Sequence, residues 1–137
     1  MAETIFPDEW LLQSLEGLLT PEGLTQLRTQ AESGRSLWET LVSKKVATDA
    51  VILEKLSARY RLKIATLSQV DPTIRDRVPE QLARRFRVVP LRMTDSFLEI
   101  ATSNPFDLDA EKAMAFAMTR EIRLLLAAPS QIATKLD

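Results

Sequence analysis

The residues most able to act chemically as a group are arginines. Arg84, Arg85 and Arg87 surround Phe86, and Arg75, Arg77 and Arg92 lie within a few positions of them. Guanidinium groups at this density neutralise phosphates or pair with carboxylates in bidentate fashion. The same arginines alternate with apolar residues that a helix or strand must bury, and the formal net charge of the whole chain is −1. The cluster is therefore read as a basic face turned to solvent or to a protein partner, with no DNA bound. Asp107, Asp109 and Glu111 form a second concentrated group. They lack the glycine and the ligand spacing of a calcium loop, and acids are expected at a helix N-terminus, so no metal site is read there. Trp10 and Trp38 are read as core anchors.

What is missing narrows the chemistry further. The 137 residues contain no His and no Cys, which removes the commonest general base, the commonest metal ligand and any thiolate nucleophile. The three glycines, Gly17, Gly23 and Gly34, are scattered and build no phosphate-cradling loop. No catalytic residues are assigned. The charge is segregated: residues 1–34 carry net −5, residues 35–92 net +7 and residues 93–137 net −3. Blocks of opposite sign favour electrostatic docking. No secretory signal and no apolar run near ~20 residues is present. A cytoplasmic protein is expected, at the inner membrane only through a protein partner and without direct insertion.

The elements that would position these residues change character midway. Trp10, Leu11, Leu15 and Leu18 fall on one helical stripe. Thr20-Pro21-Glu22 is a helix start, predicting a second helix to about Ala31 that buries Leu24 and Leu27. A third carries Leu37, Trp38, Leu41 and Val42. Thr48-Asp49 caps a fourth, with Val51, Ile52, Leu56 and Tyr60 inward. An offset of 28 residues superposes Trp10 on Trp38 and Thr20 on Thr48, a weak tandem repeat of one helix pair.

Beyond Tyr60, Lys63–Leu67 reads as a short strand, and Asp71-Pro72 and Val78-Pro79-Glu80 open two helical pieces. Arg87–Met93 is strand-like, with Pro90 demanding an edge or a bulge. Thr94–Ser96 turns the chain and Phe97–Thr102 returns it. Asp107 or Asp109 caps a helix to about Met118, followed by a strand from Arg120 to Leu126 and a helix from Ser130 to Leu136. The fold class is α+β. A four-helix, tandem-hairpin subdomain (residues 1–61) precedes an α/β sandwich-like subdomain (residues 62–137) with a small mixed sheet of three to four strands flanked by helices.

Several ordered fragments carry a family resemblance. They are Leu18-Leu19-Thr20-Pro21-Glu22-Gly23-Leu24, Leu53–Leu62, Val78-Pro79-Glu80-Gln81-Leu82-Ala83-Arg84-Arg85-Phe86, Val88-Val89-Pro90-Leu91 and Leu98–Pro105. In this order the chain, from about Trp10 to Leu136, resembles the N-terminal (MshEN) domain of type II secretion and type IV pilus assembly ATPases. The resemblance implies a non-catalytic module, with the Walker motifs in another domain. It implies docking to the cytoplasmic domain of an inner-membrane assembly protein, with the motor ATPase domain as a second partner in cis or in trans. The arginines at 75, 77, 84, 85 and 87 are the expected partner-binding residues.

Some members of that family bind cyclic di-GMP instead. Their helix pairs start with Arg-Leu-Gly, carry Gly at the turn and end with Gln. Here the first copy places Asp8-Glu9-Trp10, Gly17 and Ala31 at those positions, with Gln30 adjacent. The second places Ser36-Leu37-Trp38, Lys45 and Arg59 there, with Arg35 one residue early. The ligand residues this implies are Gly17, Gln30, Arg35, Leu37 and Arg59. No cofactor is expected, and cyclic di-GMP is the alternative ligand that the resemblance leaves open.

Overall fold

The computed structural model describes residues 8–15, 19–30 and 36–136, and the chain divides into two compact units, Met1–Tyr60 and Arg61–Asp137. In the first unit a 3-10 helix, Glu9–Ser14, precedes helices α1 (Pro21–Gln30), α2 (Leu37–Ser43) and α3 (Asp49–Tyr60). The leading segment is thus a single tight 3-10 stretch ending at Ser14, and not the longer helix its stripe suggests. Leu18 and Gly17 lie outside the described residues.

Local capping explains why the helices start where they do. The Thr20 Oγ1 accepts the Gly23 N–H at 3.0 Å, and Thr48 Oγ1 accepts the Val51 N–H at 3.2 Å. Each hydroxyl satisfies a donor that a helix N-terminus leaves without an intrahelical acceptor. The two caps are equivalent under the 28-residue offset. Ser36 caps α2, its Oγ accepting the Glu39 N–H at 3.1 Å and donating to Glu39 Oε1 at 3.0 Å. Among the described residues of this unit, Leu11, Leu15, Leu27, Leu37, Trp38, Leu41, Ile52, Leu53 and Leu56 are the buried apolar ones. Val51 and Tyr60, read as inward, are half-buried, and Leu53 takes the inward position instead.

The second unit runs α4 (Ile74–Arg77), α5 (Glu80–Phe86), β1 (Val89–Met93), β2 (Phe97–Thr102), α6 (Leu108–Met118), β3 (Glu121–Leu126) and α7 (Pro129–Leu136). The sheet order is β1-β2-β3, antiparallel between β1 and β2 and parallel between β2 and β3. The parallel pair needs a crossover, which α6 supplies. β1 is an edge strand, and its register with β2 slips between Pro90 and Arg92. Both outcomes available to a strand proline occur at once. The Leu91 carbonyl at this bulge accepts the Asp71 N–H at 2.9 Å.

The segment Lys63–Leu67 does not form a strand. It makes one parallel bridge, Ile64 to Leu126, held by Ala65 N–H to Leu126 O at 2.7 Å and Leu126 N–H to Lys63 O at 2.8 Å. A 3-10 turn at Leu67–Gln69 then takes the chain away from the sheet. The sheet buries both faces. Leu98, Ile100 and Ile122 pack with Ile74 of α4, Ala83 of α5 and Met114 and Met118 of α6. Val89, Leu91 and Ala101 on the other face pack with Ile132 of α7. The period-2 alternation of a strand sends Ile100 and Ala101 to opposite cores. Asp107 caps α6, its Oδ1 accepting the Ala110 N–H at 3.1 Å. Among the described residues no helix is long and apolar enough to cross a membrane.

Candidate functional site

Two groups of residues carry the functional expectations, one in each unit. In the first unit the starts of the two helix pairs are joined directly. Asp8 accepts the Leu37 N–H through Oδ1 at 2.6 Å and the Trp38 N–H through Oδ2 at 3.1 Å. The next two amides of α2 go to Ser36, Glu39 to its Oγ and Thr40 to its carbonyl at 3.0 Å. The Thr40 bond is the first regular helical one, and the Leu37, Trp38 and Glu39 amides, which the helix itself leaves without acceptors, are satisfied by Asp8 and Ser36. Burial raises the Asp8 carboxyl above the usual aspartate value, against the opposing hydrogen bonds from Trp38 and Leu37.

Trp38 is 1% exposed, and its indole Nε1 donates to Asp49 Oδ1 at 2.9 Å. Trp10 is half-buried. The ring of Trp38 is thus a core element joining α2 to the first turn of α3. Of the residues implied for a cyclic dinucleotide, Leu37 is buried at the start of α2. Arg59 lies at the end of α3, where it reaches the Gln13 carbonyl at 3.3 Å and the Gln13 Oε1 at 3.4 Å. Its Nε also donates to the Tyr60 hydroxyl at 3.2 Å. Gly17 and Arg35 lie outside the described residues, and so does the side chain of Gln30. At the turn between α2 and α3, Lys45 holds a left-handed backbone with φ 60°. A lysine here keeps the conformation for which glycine is the default residue.

In the second unit α5 buries Ala83 and exposes Arg84 and Arg85, while Arg87 takes its left-handed C-cap with φ 51°. Arg84 pairs with Glu80 one turn earlier at 2.9 Å, and the Arg85 guanidinium stands 5.2 Å from the Phe86 ring centre. Arg77, exposed on α4, donates to the Met93 carbonyl at 3.4 Å. Arg75 also belongs to α4, with its side chain outside the described set. Arg84 and Arg85 in the last turn of α5 and Arg87 at its C-cap thus lie together at one end of one short helix.

A cleft of about 360 Å³ lies between α4, α5, β1 and α7. Ile74 and Val89 are among the residues that line it, as are Asp71, Glu80, Arg84 and Lys135. Two cations and two carboxylates leave its lining without a net sign. Asp71 is held below the usual aspartate range because the Thr73 N–H and hydroxyl both donate to it. Among the described residues no group of three or more His, Cys, Asp or Glu could hold a metal ion.

A capped helical unit, followed along the chain by a three-stranded mixed sheet flanked by helices, makes this an α+β protein. The family model of the MshEN domain matches residues 60–137, more than half of the chain, and the chain belongs to that family. One curated relative is the type IV pilus assembly ATPase PilB of Acinetobacter baylyi, 25% identical over 104 residues. That match covers 74% of this chain but only 18% of PilB, so the chain spans about a fifth of this relative's length. Among solved structures, MshE with cdg (cyclic di-GMP) is 28% identical with a TM-score of 0.73, covering 93% of this chain and 96% of that one. The N-terminal domain of XpsE has a TM-score of 0.67 at 18% identity, covering 98% and 96% of the two chains, and shares the fold.

Proposed function

We propose that this chain is a non-catalytic docking and regulatory domain of a secretion or type IV pilus assembly motor. On this reading it works in the cytoplasm and binds the cytoplasmic domain of an inner-membrane assembly protein. The motor ATPase domain would be joined to it in cis or engaged in trans. The observation that carries the reading is the exposed Arg84, Arg85 and Arg87 at the end of α5, on a chain of the MshEN family. Arginines on a half-apolar helix give a partner orientation and a salt-dependent on-rate. The test is capture of cytoplasmic domains of inner-membrane assembly proteins by the wild-type chain and by Arg84→Glu/Arg85→Glu/Arg87→Glu. Salt-sensitive capture that the triple variant loses supports the reading. Equal capture by both removes these arginines, and no capture by a folded chain removes docking.

A second reading, cyclic di-GMP binding, is favoured by the 28% identity to MshE, whose structure was solved with that ligand. It would use Gly17, Gln30, Arg35, Leu37 and Arg59. The first turn of α2 fits this ligand poorly, because Asp8 and Ser36 already take its amides and Trp38 fills the core beneath. Titration of cyclic di-GMP followed by tryptophan fluorescence decides it. A saturable change weakened by Arg59→Ala supports binding, and a flat titration to about 500 μM excludes affinities of regulatory use.

A further inference from the structure

The outward side of α6 carries large exposed apolar residues on either side of one exposed lysine, Lys112. Phe116 is 88% exposed, Leu108 59% and Phe106, just before the helix, 47%. Residues 110, 114 and 118 of α6 are buried, a row in steps of four that packs Met114 and Met118 onto the sheet. Leu108, Lys112 and Phe116 form the opposite row, also in steps of four, with the lysine between the two apolar side chains. Leu108 and Phe116 are therefore aligned about 12 Å apart along the axis. Ala113, Ala115 and Ala117 beside Phe116 are too short to shield its ring. Isolated exposed apolar residues are ordinary, but two phenylalanines and a leucine grouped at one helix are the composition of an interface core.

The charges around this row choose among occupants. Asp107, Asp109 and Glu111 lie in or beside the first turn, against the single cation Lys112. An anionic bilayer surface would be repelled by that rim. A second copy packed face to face on α6 across a two-fold axis would set Lys112 against Lys112 if the helices run antiparallel, and the acids against each other if they run parallel. A partner with cations flanking an apolar stripe meets both features.

We infer that the outer face of α6 is a docking surface for an amphipathic helix of a protein partner. Its apolar anchors would be spaced about two turns apart and flanked by Lys or Arg. The inference rests on the docking reading but uses none of the arginines of α5.

The test uses the whole chain and a fluorescein-labelled 14-residue peptide with leucines at i, i+3, i+4 and i+7 and lysines at both ends. A twin peptide carries glutamates at the ends. Anisotropy should show saturable binding of the lysine peptide, about tenfold weaker binding of the twin, and about tenfold loss in Leu108→Ser/Phe116→Ser. Both substituted side chains face solvent, so the thermal melt of that variant should match the wild type. The variant Arg84→Glu/Arg85→Glu should bind the peptide unchanged. Equal binding of both peptides, equal binding by the Leu108/Phe116 variant, or no binding overturns the inference. A dimer in sedimentation that Phe116→Ser dissolves, or vesicle binding that it abolishes, also overturns it by naming another occupant. If peptide binding fails while the α5 charge reversal still abolishes capture of an assembly protein, the docking reading stands without α6. If capture fails while the peptide result holds, α5 docking falls and the α6 surface remains.

Discussion

The Asp8 carboxylate accepts the Leu37 backbone N–H at 2.6 Å, tying the start of one helix pair to the start of the next. The contact spans 29 positions and gives α2 a cap that its own flanking residues do not fully supply. Removing it should be costly. Asp8→Ala strips acceptors from both the Leu37 and Trp38 amides and should destabilise the helical unit by about 1–2 kcal/mol. Urea unfolding followed by tryptophan fluorescence measures this. A change below a few tenths would mean that solvent replaces the carboxylate.

The same carboxyl predicts a pH dependence. Its folded pKa is raised above 3.8, chiefly by burial. The fold therefore favours the protonated acid, and this group's contribution is largest below the unfolded value and falls as pH rises through the folded one. Stability of wild type minus that of Asp8→Asn should decrease as pH rises from the ordinary aspartate range through the raised folded value. Asp71, whose pKa is lowered by the Thr73 hydrogen bonds, acts in the opposite sense. Its contribution is lost as pH falls below the ordinary aspartate range. Asp71 is present in both wild type and Asp8→Asn, so their difference isolates Asp8.

Trp38 should be far less replaceable than Trp10. Trp38→Phe keeps most of the buried ring but loses the indole hydrogen bond to Asp49, at about 1–2 kcal/mol. Trp38→Ala leaves a cavity worth about 3–5 kcal/mol. Scanning calorimetry of the two series should place both Trp38 variants below the corresponding Trp10 variants.

Thr119 is a β-branched residue at a left-handed helix C-cap, with φ 51°. That conformation costs an L-residue about 1–2 kcal/mol, whereas glycine brings about 0.5–1 kcal/mol of extra unfolded-chain entropy. The first effect is larger, so Thr119→Gly should stabilise the protein by about 0.5–1 kcal/mol. A lowered denaturation midpoint would show that the threonine makes a compensating contact.

The Phe97 ring is approached by two guanidinium groups, Arg123 at 3.8 Å and Arg92 at 5.2 Å from its centre, and Arg92 also pairs with Glu99. A double-mutant cycle of Phe97→Leu with Arg123→Ala should return a coupling of about 0.5–1 kcal/mol. A coupling near zero would mean that the ring contributes only buried area.

The sequence alone determined the local events. Thr20, Thr48 and Asp107 announce helix starts because each needs only an amide two or three residues away. Pro90 announces an edge or a bulge because its ring removes a donor wherever it sits. The order of such signals was enough to mark the family. Tertiary structure decided what depends on distant partners. Lys63–Leu67 has the alternation of a strand, yet it bridges Leu126 once and leaves, since a ladder continues only while both chains run together. Asp8 reads as an ordinary acid until the fold brings it to α2. Hydropathy places Phe116 in the core as readily as Met114. The sheet meets the row at 110, 114 and 118, so the methionines are buried and the phenylalanine is left outside. The residues offered for docking were hidden in the sequence for that reason: which of two helix faces is covered is a property of the neighbour.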